Sequence, residues 1–293
     1  MGRKRQRTQP EQPAESNGPH AGTWEIQTGT VELVPDDLTP GAWTVMVNGV
    51  PSSHVDPARP GDLDFEYMRW MAAVLRTHVP AHLDPHKLRV LHLGGGACSM
   101  ARWLAHEWPE ARQVVVELDA RLVDLVRGWF NLPRAPLLRI RAGEARAVTE
   151  SLTESTRDVI IRDVFAGAVT PPSLTTVEFT RAVDRVLDPA GIYLLNVGDD
   201  PQLNGVRQEI AGLKAVFEHV AAVADPAMFK GRRRGNVVLA ASHRPLPESG
   251  TAEAATMTRS LLVDPVPAQY KDQRWTATFA ATVQPRRDPA SSS

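Results

Sequence analysis

Gly94, Gly95 and Gly96 follow a short apolar run, Val90, Leu91 and Leu93, and Glu117 and Asp119 follow another, Val114-Val115-Val116. Glycines at the end of a strand let backbone approach a ligand without a Cβ in the way. An acid at the tip of the next strand, about twenty residues on, is where Rossmann-like folds hydrogen-bond ribose hydroxyls. A carboxylate suits that task because it accepts two hydrogen bonds from a cis-diol. The competing reading of Glu117 is a solvated acid at a strand end. Glycines alone carry little weight. The order of strand, glycine turn, helix, strand and acid predicts an adenosine-type ligand.

Holding such residues together requires a parallel sheet, and the sequence supplies its parts. Buried parallel strands read as short continuous apolar runs. Such runs predict strands at 89–93, 113–116, 137–141, 158–162, 192–197, 219–224 and 236–242, with helices notably at 121–130, 174–187 and 203–216. The last two strands have no obvious helix between them, which predicts a terminal hairpin. The expected fold class is therefore α/β, with a Rossmann-like, seven-stranded, mainly parallel sheet laid out as in class I methyltransferases. Upstream, "WEIQTGTVELV" and "AWTVMVNGV" alternate or run apolar around turn signals at Thr28-Gly29-Thr30 and Asn48-Gly49, which predicts a small β-hairpin domain. "DFEYMRWMAAVLR" predicts an amphipathic helix over 64–76. The expected organisation is a disordered tail at 1–22, the hairpin domain at 23–62, a nucleotide-binding domain at 63–245, and a linker with a C-terminal segment at 246–293. That last segment is expected to pack back on the sheet.

Composition narrows the partners. The 33 basic and 34 acidic residues nearly cancel, leaving a net charge of -1 and no global attraction for nucleic acid or an anionic membrane. No apolar run approaches a membrane span. The opening "MGRKRQRTQPEQPAESNGPHAG" is basic but lacks the apolar stretch of a secretory leader. The single cysteine, Cys98, excludes an intrachain disulfide framework and suits a reducing cytoplasm, the expected location.

Taken in order and spacing, "VNGV", "DFEYMRWM", "VLHLGGG", "VVVELD", "IRAGEARA" and "DVIIRDVF" resemble the spermidine/spermine synthase family across roughly residues 30–245. "GNVVLAASHRPLP" resembles a divergent, actinobacterial-type branch of it. The resemblance implies a transferase that binds decarboxylated S-adenosylmethionine in a Rossmann-like domain beneath an N-terminal β-domain and passes its aminopropyl group to an amine. It implies that Gly94, Gly95 and Gly96 approach the nucleoside, that Glu117 takes the ribose hydroxyls, and that Gly143-Glu144 matches the pair whose acid reaches adenine. The competing reading of Glu144 is a helix N-terminal acid favoured by the macrodipole. Asp163 matches the acid that orients or deprotonates the attacking amine. An acid at the carboxyl end of a parallel strand is well placed for that, although it also suits a cap or loop anchor.

The departures bear on chemistry. Ala97 stands where the family has an aspartate that pairs with the aminopropyl ammonium, and Ala166 stands where it has the second acid of its D-S-S-D motif. Tyr67-Met68-Arg69 keeps a ring but loses polar partners, and Ser52 takes the place of an expected glutamine. A cationic acceptor needs carboxylates around it. The resulting expectation is a co-substrate that is S-adenosylmethionine or its decarboxylated form, with spermidine synthesis in question. Methyl transfer to another acceptor, or a nucleotide-binding protein without catalysis, are the alternatives. Loss of the acid at 97 is expected to admit ordinary S-adenosylmethionine, and Ala97→Asp to reverse that. The expected partner is a small-molecule acceptor, with amines among the candidates and a homodimer as an open option. No membrane, nucleic acid or metal is expected. His78, His82 and His86 are four apart, but Pro80 and Pro85 are expected to break the helix that would align them. Cys98 is expected to be a small buried thiol, Arg232-Arg233-Arg234 a solvated loop, and Trp70, Trp103, Trp108 and Trp129 packing residues.

Overall fold

Asn48 and Gly49 both take positive φ, +51° and +77°, and turn strand β3 (Trp43–Val47) directly into β4 (Val50–Val55). Asn-Gly is favoured in such a turn because both central residues must leave the usual φ range. Strands β1 (Gly22–Ile26) and β2 (Gly29–Pro35) precede this pair, and the four form one antiparallel meander. The structure, a computed structural model, describes residues 18–167 and 169–290. Most of the tail expected at 1–22 lies outside those residues, and Gly22 already pairs with Leu33 in the first sheet.

Helix α1 (Glu66–His82) leads from this meander into the second sheet. There β5 (Arg89–Leu93), β6 (Arg112–Glu117), β7 (Leu138–Ala142), β8 (Arg157–Arg162) and β9 (Leu187–Asp199) lie parallel to one another. Helices α2 (Ser99–Glu107), α3 (Ala120–Trp129), α4 (Ala145–Ser151) and α5 (Val177–Val186) connect them. After α6 (Asn204–Lys214), β10 (His219–Ala224) and β11 (Gly235–Ser242) form the expected hairpin, with the short α7 (Pro226–Phe229) between them. Following α8 (Ala252–Leu262), β12 (Gln269–Lys271) pairs with β10, and α9 (Gln273–Phe279) covers it. Among the described residues the order is β12-β10-β11-β9-β8-β5-β6-β7, one strand more than the seven expected. The extra strand is an edge strand.

Two apolar cores hold the site. The larger one surrounds β5, β8, β9 and α1, where Trp70, Leu75, Leu91 and Ile160 are fully buried. The smaller joins the meander to β6 and α3 through Val31, Val45, Val115 and Val126, with the Trp24 and Trp129 rings 4.8 Å apart. Asp119 fastens this junction. One carboxylate oxygen accepts from the Thr28 backbone N–H (2.7 Å) and hydroxyl (2.9 Å), and the other caps α3 at Leu122 N (3.0 Å). A fully buried acid with four-sided demands is satisfied here by three donors, which offsets its desolvation.

Pro80 does not break the helix at 64–76; α1 runs on through it to His82. The proline forgoes only the one intrahelical bond its missing N–H would have made, and buried Leu75, His78 and Val79 hold this end of the helix against the sheet. His78 is thus buried in a helix rather than exposed in a loop.

Candidate functional site

The carboxyl ends of β5, β6, β7 and β8 open into a cleft of about 1130 Å³, and Gly94, Gly95, Gly96, Glu117, Gly143, Glu144 and Asp163 all line it. Ligands of open α/β sheets bind in such crevices, at the strands' carboxyl ends.

The glycine turn is demanded first by the protein itself. Gly94 has φ +89°, and a Cβ there would lie 2.1 Å from the Asp163 carbonyl oxygen. Gly96 has φ +47°, and its Cβ would lie 2.7 Å from Ser53 Oγ. Glu117 then clamps the turn. Its Oε2 accepts from Gly95 N (3.0 Å) and Gly96 N (3.2 Å), and its Oε1 from Asp119 N (3.1 Å). Both oxygens are hydrogen-bonded, so the acid is oriented rather than loose.

Gly143 N donates to the Glu117 carbonyl at 2.9 Å, which ties the tips of β6 and β7 together. Glu144 is the side-chain cap of α4, accepting from Arg146 N (2.9 Å) and Ala147 N (2.7 Å). The competing helix-terminus reading of Glu144 is therefore realised, at a position that also lines the cleft.

Asp163 sits one residue past β8. Tyr67 donates its hydroxyl to one carboxylate oxygen (2.8 Å), and Asn196 donates its amide to the other (3.1 Å). Burial pushes the Asp163 carboxyl above the ordinary range, and the two donors pull it back. Burial and the neighbouring carboxylate push Tyr67 well above the ordinary phenol value, so it remains a donor. Among the described residues Asn196 Oδ1 is buried without a hydrogen-bond partner, although Asn196 lines the cleft. An orphaned acceptor at a pocket wall invites a donor from a ligand. Asn196 escaped sequence reasoning; its one signal was an amide inside the apolar run "YLLNV".

Position 97 differs from expectation. Cys98 takes a left-handed conformation (φ +61°) and donates its N–H to Gly95 O (2.7 Å), while Ala97 N donates to Ser53 Oγ (2.9 Å). This tight turn tucks the Ala97 methyl into the smaller core, fully buried and off the cleft wall. An acid at 97 would be buried in this fold, so the expected selectivity switch has no direct path to a ligand. Ala166, by contrast, lines the cleft. Cys98 is buried, and burial raises its thiol to about 12, well away from a reactive thiolate.

Of the remaining candidates, all but Arg234 fall outside the site. His78 donates to Ala190 O (3.0 Å), His82 bonds Pro245 O (3.2 Å) and His86 pairs with Glu110 (2.8 Å). Among the described residues no group of three His, Cys, Asp or Glu side chains could hold a metal ion. Trp70, Trp103, Trp108 and Trp129 are buried packing residues. Arg232, Arg233 and Arg234 are exposed, and of the three Arg234 lines the cleft.

Comparison with known proteins decides the family. Residues 73–230, over half of the chain, match the spermine/spermidine synthase domain. The chain belongs to the spermine/spermidine synthase family. The structure of a probable spermidine synthase from Corynebacterium glutamicum is 51% identical, covering 94% of this chain and 99% of that one with a TM-score of 0.91. A polyamine aminopropyltransferase of Chromobacterium violaceum is 30% identical over 145 residues, 49% of this chain and 53% of the relative. An eEF1A lysine and N-terminal methyltransferase of Xenopus laevis is 27% identical over 127 residues, 40% of this chain and 18% of the relative. The match spans about half the length of the curated aminopropyltransferases. The protein is spermidine synthase-like, with the α/β fold of class I methyltransferases and an added N-terminal antiparallel sheet. No helix among the described residues is long and apolar enough to cross a membrane.

Proposed function

We propose that the cleft binds an S-adenosylmethionine-type sulfonium nucleotide and that the protein transfers an alkyl group from it to a nucleophile held beside Asp163. The observation that carries this reading is the Tyr67–Asp163–Asn196 arrangement at the tip of β8, adjoining the glycine turn that Glu117 clamps. Glu117, with lone pairs left over from its three backbone donors, takes the ribose hydroxyls. Gly143 and Glu144 border the adenine. The orphaned Asn196 Oδ1 supplies a fitting acceptor for an N–H or O–H of the incoming group.

The chemistry asked of the residues is modest. The nucleophile's lone pair forms the new bond to carbon while the carbon–sulfur bond breaks, its electron pair staying on sulfur as a neutral thioether. Asp163 orients the nucleophile and accepts its proton, a task eased by a carboxyl whose proton affinity burial has raised. Most of the rate enhancement comes from holding the two partners in line.

Whether aminopropyl or methyl is moved turns on the co-substrate. Ala166 supplies no carboxylate at the position where the family resemblance places a second acid, so putrescine is a poor acceptor in this reading. The similarity to an eEF1A methyltransferase favours methyl transfer as the second reading. Paired titrations of S-adenosylmethionine and its decarboxylated form, followed by analysis of the nucleoside product, separate the two. Methylthioadenosine marks aminopropyl transfer, and S-adenosylhomocysteine marks methyl transfer. Binding of neither nucleotide refutes the proposal.

A further inference from the structure

The cleft extends past Asp163 toward the ends of β9 and β11, and its wall there carries two guanidinium groups, those of Arg234 and Arg286. Arg234 immediately precedes β11, whose first residue, Gly235, pairs with Asp199 at the end of β9. Arg286 arrives from far along the chain. The C-terminal segment crosses α4 and α5, held by Arg286 O accepting from Val177 N (2.9 Å), by Asp288 N donating to Glu178 (2.9 Å), and by the Arg146–Asp288 ion pair. This anchoring fixes the Arg286 guanidinium, which donates to Thr175 Oγ1 (2.9 Å) and Gln208 Oε1 (3.0 Å). Both of those partners are neutral.

Three other arginines in this part of the molecule have carboxylates of their own, whereas Arg207 lies over the Phe279 ring. Arg162 is paired with Glu209 (2.6 Å), Arg146 with Asp288, and Arg233 with Asp225 (3.2 Å). Neither Arg234 nor Arg286 has an ion pair among the described residues. The acids of the same wall are otherwise occupied. Glu209 is bound to Arg162, and Asp199 accepts from Val206 N (2.8 Å) and Asp200 N (2.9 Å) at the start of α6. Asp200 accepts from Gln202 N (2.9 Å). The Arg286 guanidinium, held in place by neutral hydrogen bonds and without a carboxylate of its own, is preorganised for an anionic group from outside, and the exposed Arg234 lines the same wall.

Resting on the reading of the cleft as an alkyl-transfer site, we infer that the acceptor is a zwitterion, an amine whose far end is a carboxylate, rather than a diamine. The amine end meets Asp163 and the free Asn196 Oδ1. The carboxylate end meets Arg234 and Arg286. A second ammonium at that end would instead face Arg234 and the anchored Arg286, with alanine at position 166 and with Asp199 and Asp200 already accepting backbone N–H groups. Like-charge contact of that kind discriminates against the wrong partner as effectively as attraction selects the right one.

The test uses two probes of equal chain length, 4-aminobutanoate and putrescine, titrated into the full chain saturated with methylthioadenosine. 4-Aminobutanoate is expected to bind at least about tenfold more tightly than putrescine. Arg234→Gln and Arg286→Gln should each weaken 4-aminobutanoate about fivefold or more and leave n-butylamine, which lacks the carboxylate, unchanged. Arg286→Lys should retain part of the preference. Melting curves of each variant check the fold. Tighter binding of putrescine, binding of neither probe, or a preference untouched by both glutamine variants overturns the inference. Failure of methylthioadenosine itself to bind would instead remove the nucleotide site on which the inference rests.

Discussion

Replacing Glu117 by glutamine separates its two duties, holding the glycine turn and receiving a ribose. The carboxylate accepts three backbone N–H groups, at 3.0, 3.2 and 3.1 Å, spread over both oxygens. Glutamine keeps the shape but has one acceptor oxygen and an NH2 group, so some backbone N–H must face another donor. The milder orientation turns the amide nitrogen toward Asp119 N and keeps the turn intact, at a cost of about 1–3 kcal/mol for the donor left unsatisfied. Ribose binding suffers separately. A hydrogen bond to a charged group contributes about 1.5–3 kcal/mol, so loss of the charge should weaken an S-adenosylmethionine-type ligand roughly 10- to 150-fold. Glu117→Ala should lose at least as much. Calorimetric titration gives the affinity, and a denaturant melt without ligand gives the stability. Lower stability with unchanged affinity would refute the ribose role and leave Glu117 as a turn clamp only.

Three further outcomes follow from the geometry. Ala97→Asp should destabilise the protein by about 3–5 kcal/mol, the cost of an unpaired buried charge, without creating a preference for the decarboxylated nucleotide; normal stability with a gained preference would show that position 97 reaches the cleft. Tyr67→Phe removes a donor that stabilises the Asp163 carboxylate, so the acid limb of the pH–rate profile for nucleoside release should move upward; an unmoved limb would take Asp163 out of the proton path. His78 and His92 are buried and neutral with proton affinities pushed down to about 4, against about 6.5 when unfolded. The unfolded chain binds more protons between those values, so stability is full above pH 6.5 and falls toward pH 4 by up to about 1.4 kcal/mol per pH unit for each histidine. Urea melts giving equal stability at pH 7 and pH 5 would contradict this.

The parallel sheet was legible because its strands are buried on both faces and so leave unbroken apolar runs. β5 through β11 fall where those runs predict them, and Asn48-Gly49 marks its turn through backbone chemistry that few other pairs satisfy. β12 was not legible. Its three residues, Gln269, Tyr270 and Lys271, pair at an edge with β10 and carry no alternation to read. The orientation of Ala97 depends on a left-handed conformation at Cys98, a non-glycine residue that gives no warning of it. Pro80 misled because burial of Leu75, His78 and Val79 around it outweighs the single hydrogen bond it forgoes. Asn196 and Arg286 lie 33 and 123 positions after Asp163 in sequence, and only the folded chain brings them to one cleft. Glu144 showed the opposite case, where one local pattern, an acid before a helix, was readable as either cap or ligand contact and the fold uses it as a cap.

Every role assigned in the cleft depends on where a product nucleoside sits. A crystal structure of the full chain with methylthioadenosine should show the ribose hydroxyls within hydrogen-bond distance of Glu117, the adenine beside Gly143 and Glu144, and the sulfur turned toward Asp163. A nucleoside bound elsewhere, or a cleft that stays empty at saturating nucleoside, would contradict it.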